Sequence, residues 1–208
     1  MNKVKFGIAG YGKMGKIREE SILNSPDTKL ISIYEVSECR HNDKDIVQCN
    51  SFDELLATDI DAVIVSAYVS VAADYVIRAL SRGKHVFCEK PPSMTAKEMK
   101  KVIEIEKKMG KVLKYGFNHR FHYSVMEAKK VINDGGMGKM LWMRGVYGKA
   151  GSIDFHDNWR NYKNYSGGGI LLDQGIHMID LFRYFSNDEF TCLSSHLTSS
   201  FWNVECED

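Results

Sequence analysis

The chain has 208 residues, 44% of them hydrophobic and 26% charged, with a formal net charge of +1. That is the composition of a globular protein with one large or two modest domains, and the near-neutral charge gives no footprint for a nucleic-acid or acidic-membrane partner. No apolar run approaches the roughly 18 residues of a membrane span, and the N-terminus enters a strand pattern without a signal-peptide apolar core, so a cytoplasmic protein is expected.

The predicted elements begin with a strand over residues 4–9. It runs into Gly10, Tyr11, Gly12, Lys13, Met14 and Gly15, a G-x-G-x-x-G pattern that opens a helical stretch reaching Leu23. Alone this pattern is weak; between a strand and a helix it is a phosphate cradle. Gly10 allows the tight turn, Gly12 lets a pyrophosphate approach the backbone, and Gly15 lets the helix pack on the strand. Lys13 and Met14 stand at the helix start, where unpaired N–H groups attract anions. Residues 30–34 read as the second strand. Glu35 ends it about 20 positions beyond the glycines, the place of the acid that holds a ribose diol. A carboxylate there repels a 2′-phosphate, so NAD is expected over NADP. Arg40 is a candidate for stacking on adenine, or for pairing with a 2′-phosphate.

Ser51 and Glu54 form a capping-box pattern before a short helix through Ala57. Residues 61–66 read as a buried strand, 74–82 as a helix ended by Gly83, and 84–88 as the next strand. Thr95 and Glu98 give a second capping box ahead of an amphipathic helix that stops at Gly110, and 112–117 supply a further strand. This alternation predicts a parallel sheet covered on both faces, a dinucleotide-binding α/β domain over residues 1–118. From Asn118 the texture becomes α+β: a helix over 123–133, a long strand over 140–147, a polar and aromatic loop over 148–166, a helix over 175–185 and a β-prone stretch over 192–205. A second domain is therefore expected over 119–208.

The five cysteines, Cys39, Cys49, Cys88, Cys192 and Cys206, are scattered without a C-x-x-C pair and read as reduced thiols. Cys88 adjoins Glu89, Lys90, Pro91 and Pro92. Beyond the carboxyl ends of such a sheet lies the ligand crevice, so Lys90 would project into it from a turn that the prolines fix. A lysine before proline is otherwise an ordinary solvated charge. A second constellation is GGGILLDQGIHMID, residues 167–180. If a helix starts near Asp173, then Asp173 and His177 lie one turn apart on one face, a pair suited to proton transfer near neutral pH, with Asp180 a further partner for the imidazole. The same residues read equally as an N-cap and a buried core histidine. Trp159, Arg160 and Tyr162 suit the apolar and hydroxylated faces of a sugar, or a diphosphate, and read equally as incidental surface residues. His119 and His122 are three apart but lack a third ligand of suitable spacing, so no metal site is expected.

In order, GIAGYGKMG, Glu35, KHVFCEKPPS, YGFNHRF and GGGILLDQGIHMIDL closely resemble the glucose-fructose oxidoreductase/inositol dehydrogenase family, Gfo/Idh/MocA, along nearly the whole chain. The resemblance implies a Rossmann domain followed by a domain built on an open, mainly antiparallel sheet, here partial. It also implies an NAD-dependent oxidoreductase that transfers a hydride between a hydroxyl carbon of a sugar, nucleotide sugar or cyclitol and nicotinamide. By the matching motifs Lys90, Asp173 and His177 become the catalytic residues, with His177 the base, Asp173 its orienter and Lys90 on the substrate hydroxyl. Asn118 and Arg120 match a segment that lines the site, and Ala67, Tyr68, Glu89 and Lys90 border the cofactor. The chain departs from the family at Ala67 and Tyr68, where members commonly carry Thr-Pro. It departs also in length, since members continue beyond the point matching residues 201–205. An unfinished sheet edge invites association, so a homo-oligomer through the C-terminal sheet is expected. A non-catalytic NAD(P)-binding regulator or sensor of the same fold is the alternative, and transient use of NAD in epimerisation or glycoside cleavage is a third reading.

Overall fold

The computed structural model describes residues 3–148 and 158–208. The chain divides into two compact units, Met1–Gly116 and Phe117–Asp208. The first unit runs β1 (Val4–Ala9), α1 (Lys13–Leu23), β2 (Thr28–Tyr34), β3 (Val47–Cys49), α2 (Phe52–Ala57), β4 (Ala62–Val65), α3 (Val69–Ser81), β5 (His85–Cys88), α4 (Ala96–Met109) and β6 (Leu113–Tyr115). All strands are parallel, in the order β3-β2-β1-β4-β5-β6. This is the doubly wound order whose direction reverses between β1 and β4.

Adjacent residues of the central strands bury against opposite faces, which is why these strands read as unbroken apolar runs. Val63, Val65, Val86 and Cys88 pack with Leu55 of α2 and Val76 and Leu80 of α3. Ile64 and Ile8 turn the other way, to Ile22 of α1 and Ile33 of β2. Helix α3 begins five residues before the predicted start at 74, because Val69, Ala72, Ala73 and Val76 extend its buried stripe. Helix α4 starts at a full capping box between Thr95 and Glu98 and stops at Gly110, whose φ of 59° is the left-handed conformation glycine adopts without strain. Ser51 also caps α2, accepting from the Glu54 N–H at 3.1 Å, while the Glu54 carboxylate reaches Asn50 instead of closing the box.

The second unit is helical where it is regular: a 3₁₀ turn (Asn118–Phe121), α5 (Tyr123–Asn133), a 3₁₀ turn (Trp159–Asn161), one-turn α6 (Lys163–Ser166), a π turn (Leu171–Gly175) and α7 (Ile176–Ser186). Buried Lys129 of α5 donates to Asn187 Oδ1 at 2.8 Å and to the Phe185 carbonyl at 3.5 Å, placing a cation at the C-terminus of α7. The antiparallel sheet expected here is absent among the described residues. Residues 140–147 and 192–205 lie outside any strand, and every strand among the described residues belongs to the parallel sheet of the first unit. A β-prone sequence becomes a strand only when a neighbour supplies the ladder, and among the described residues neither stretch has one. No helix among the described residues is long and apolar enough to cross a membrane.

Candidate functional site

The three glycines do different things. At Gly10 φ is +89°, and a Cβ would lie 2.5 Å from the Ser66 carbonyl carbon. A Cβ on Gly15 would lie 2.3 Å from the Gly10 carbonyl oxygen, so this residue closes the helix onto the loop. Gly12 has open space within 4 Å of its missing Cβ. The loop is held from below: the Gly10 N–H donates to the Tyr34 carbonyl at 2.8 Å, and the Ser66 hydroxyl donates to the Gly10 carbonyl at 2.6 Å. Helix α1 starts at Lys13 with no side-chain cap and no acidic residue in its first turn, so its leading N–H groups are offered to an anion. Met14 and Lys13 occupy that first turn. An open Gly12 facing an uncapped helix start, at the sheet's switch point, fits a dinucleotide pyrophosphate.

Glu35 stands at the end of β2 and accepts the Tyr11 N–H at 2.5 Å and the Ser37 N–H at 3.2 Å. The Tyr11 hydroxyl donates to Glu19, whose other oxygen lies 2.6 Å from His41 Nε2; burial and the Glu19 bond hold the phenol well above its ordinary pKa. This latch ties the segment after β2 to α1. Arg40 is exposed beside it. Ala67 follows β4 directly against Gly10, and Tyr68 is the N-cap residue of α3.

Glu89, at the end of β5, continues the ladder by donating its N–H to the Val65 carbonyl at 2.8 Å. Its carboxylate accepts from Arg18 Nε at 2.6 Å and lies 2.5 Å from Arg18 Nη2. Lys90 follows, joined to Pro91 by a cis peptide. Cys88, one residue back, is fully buried, and burial pushes its thiol pKa far up, which makes it a packing residue rather than a nucleophile.

In the second unit, His177 is 3% exposed and its ring stacks on His119 at 3.8 Å, with Phe117 edge-on at 6.1 Å. Asp173 lies in the π turn, where bonds close one residue later than in an α-helix, so the simple one-turn spacing to His177 is altered. Its carboxylate meets Arg160 Nε at 3.4 Å and the Gln174 amide at 2.9 Å. Asp180 does not pair with His177; it receives Arg120 Nε at 2.7 Å and Nη2 at 2.5 Å. The Arg120 guanidinium also lies over Tyr184, so its contacts run to α7. Asn118 opens the 3₁₀ turn that carries Arg120. Arg160 covers the Trp159 ring at 4.4 Å and, with Asp173, lines a cavity of about 80 Å³. Tyr162 follows, half exposed. Of the loop predicted over 148–166, residues 149–157 lie outside the described residues.

Sequence reasoning missed Ser66, Arg18 and the Glu19–His41 pair. Arg18 meets its partner 71 residues away. Only the two-residue spacing of Phe87 and Glu89, which puts both on the face toward α1, hinted at it.

Residues 4–117 match a family model described as an oxidoreductase family with an NAD-binding Rossmann fold, and 125–208 match the GFO/IDH/MocA C-terminal domain. A myo-inositol 2-dehydrogenase from Thermotoga maritima is 30% identical over 192 residues, 89% of this chain and 56% of its own. A levoglucosan dehydrogenase from Pseudarthrobacter phenanthrenivorans is 34% identical over 143 residues, 68% of this chain and 36% of its own. The crystal structure of myo-inositol 2-dehydrogenase from Lactobacillus plantarum superposes with a TM-score of 0.78 at 25% identity, covering 89% of this chain and 57% of that one. The chain thus spans little more than half the length of the inositol dehydrogenases it matches. With the glycine loop, the parallel-sheet order and both family matches in agreement, the chain belongs to the Gfo/Idh/MocA oxidoreductase family, with an NAD-binding Rossmann fold.

Proposed function

We propose that the chain serves an NAD-dependent dehydrogenase that moves a hydride between a hydroxyl-bearing carbon of a cyclitol or sugar and the nicotinamide. The observation that carries this reading is that the glycine loop and the Lys90 turn stand at the carboxyl ends of β1 and β5, on either side of β4 in one parallel sheet. Inositol and levoglucosan dehydrogenases among the relatives support a polyhydroxylated substrate. NAD, when bound, supplies the hydride acceptor.

The chain's own residues position and move the proton. Gly10, Gly12, Gly15 and the start of α1 bind the pyrophosphate, Glu35 the ribose diol. His177, sealed among aromatic rings, takes the hydroxyl proton, and Asp173 with Arg160 fixes the polar side of the pocket. Lys90 stabilises alkoxide character as it develops. Trp159, Tyr162 and Asn118 are substrate contacts in this reading, while Arg120 anchors α7 through Asp180. Homo-oligomerisation through the C-terminal half belongs to the same proposal.

Replacing Lys90 or His177 by Ala should reduce turnover of inositols or sugars at least about 100-fold while NADH binding stays within about threefold, as expected for groups that act on the transition state. Reduced-nicotinamide absorbance reads the first and fluorescence titration the second. Turnover in both variants at the parental rate would overturn the assignment. NADH binding without accumulation across the whole panel of inositols and sugars would instead favour a sensor.

A further inference from the structure

We propose that Arg18 and Glu89 are a positioning pair that sets the Lys90 turn in register with the glycine loop, so that a residue of the cofactor-binding helix controls the orientation of the catalytic lysine. The inference rests on the role proposed above for Lys90.

Arg18 lies in the second turn of α1, the helix whose start receives the pyrophosphate. Its guanidinium crosses the end of β5, 4.8 Å above the Phe87 ring, and two of its nitrogens converge on one oxygen of Glu89 at 2.5 and 2.6 Å. The pair is largely sheltered, with side-chain exposures of 22% and 14%. In that setting a charge-assisted, two-nitrogen contact fixes direction as well as distance. The other side of the Glu89 carboxylate is closed by Gly116, where a Cβ would come within 2.7 Å of Oε2. The Glu89 and Gly116 N–H groups both bond across the sheet, to Val65 and Cys88. Glu89 therefore has its backbone fixed by the ladder, its carboxylate held by Arg18, and its remaining space set by the lack of a side chain at 116. Lys90 is the next residue. If Glu89 swings, the turn that carries Lys90 moves with it, and a displacement of about 1 Å in such a group costs up to about 100-fold in rate.

The test compares Arg18→Met, Arg18→Lys, Glu89→Gln and Gly116→Ala, each alone, with Arg18→Met also in a Lys90→Ala background. Fluorescence of bound NADH reports the nicotinamide environment and needs no substrate; melting temperature reports folding. Arg18→Met and Gly116→Ala should change the bound-NADH emission in the way Lys90→Ala does, with affinity kept within about threefold, while Arg18→Lys should restore most of the parental emission. In the Lys90→Ala background Arg18→Met should add nothing further. With a turned-over substrate, Arg18→Met should lower kcat about tenfold and leave KM for NAD nearly unchanged. Parental emission in folded Arg18→Met, or an equal change with and without Lys90, overturns the proposal. If the parent binds NADH but oxidises no polyol, the dehydrogenase reading fails, and the emission pattern still decides the positioning pair.

Discussion

At the scale of single residues, the buried thiols separate packing from chemistry. Burial, with a smaller contribution from the Glu54 charge, pushes the Cys49 thiol up to about 11 from an ordinary 9.0, and Cys88 rises further. Between those values the unfolded chain loses the Cys49 proton while the folded chain keeps it. Stability from this site is therefore complete below pH 9 and falls as pH rises toward 11. Melting temperature should drop across that window, less steeply in Cys49→Ala, and a thiol reagent at neutral pH should label exposed Cys192 well before Cys49 or Cys88. Equal labelling of all three would contradict the packing reading. Lys90, Asp173 and His177 could be singled out as candidates because their motifs are local. The ion pairs around them were far less so: Arg18 with Glu89, Arg160 with Asp173 and Arg120 with Asp180 meet through the tertiary fold, and only the alternation of Phe87 and Glu89 hinted at the first.

At the scale of elements, the strands and helices of the first unit were readable because propensity, caps and burial agree there. Thr95, Glu98 and Gly110 mark α4 at both ends, and β4 is a run of apolar side chains buried on two faces. Strand β3 escaped because three residues at a sheet edge show no usable period. The π turn at Leu171–Gly175 escaped because its sequence suits an α-helix equally well. The glycine loop yields the sharpest test. Ala at Gly10 or Gly15 meets backbone at 2.5 or 2.3 Å and should destabilise the fold by about 2 kcal/mol or more, a clash compounded at Gly10 by its positive φ. Ala at Gly12 meets nothing and should leave the melting temperature unchanged, yet it should weaken NADH binding more than about tenfold by filling the space the pyrophosphate needs. Melting curves and NADH titrations of the three variants check this; intact NADH binding in Gly12→Ala would refute the cradle.

At the scale of the whole molecule, the two halves differ in how completely they cover their apolar side chains. The first unit packs two buried clusters, one on each face of its sheet. In the second, Leu141, Trp142, Val146, Leu193 and Phe201 are each more than three-quarters exposed. These are the stretches expected as strands of an antiparallel sheet, and their apolar content was legible while their partners were not. Exposed side chains of this size favour association. Sedimentation at micromolar concentration should give a mass above that of one chain, and a monomer throughout would contradict the proposed oligomer.

The uncapped start of α1 has a thermodynamic side. A helix that begins without a side-chain cap leaves its first amide groups to solvent, and a bound pyrophosphate would do for it what serine or threonine does for α2 and α4. The dinucleotide thereby becomes a missing piece of local structure as well as a reagent, and at a hundred times its dissociation constant its binding would add about 2.7 kcal/mol to the stability of the folded chain. The cell's nicotinamide pool would then help to set how much of this protein stays folded.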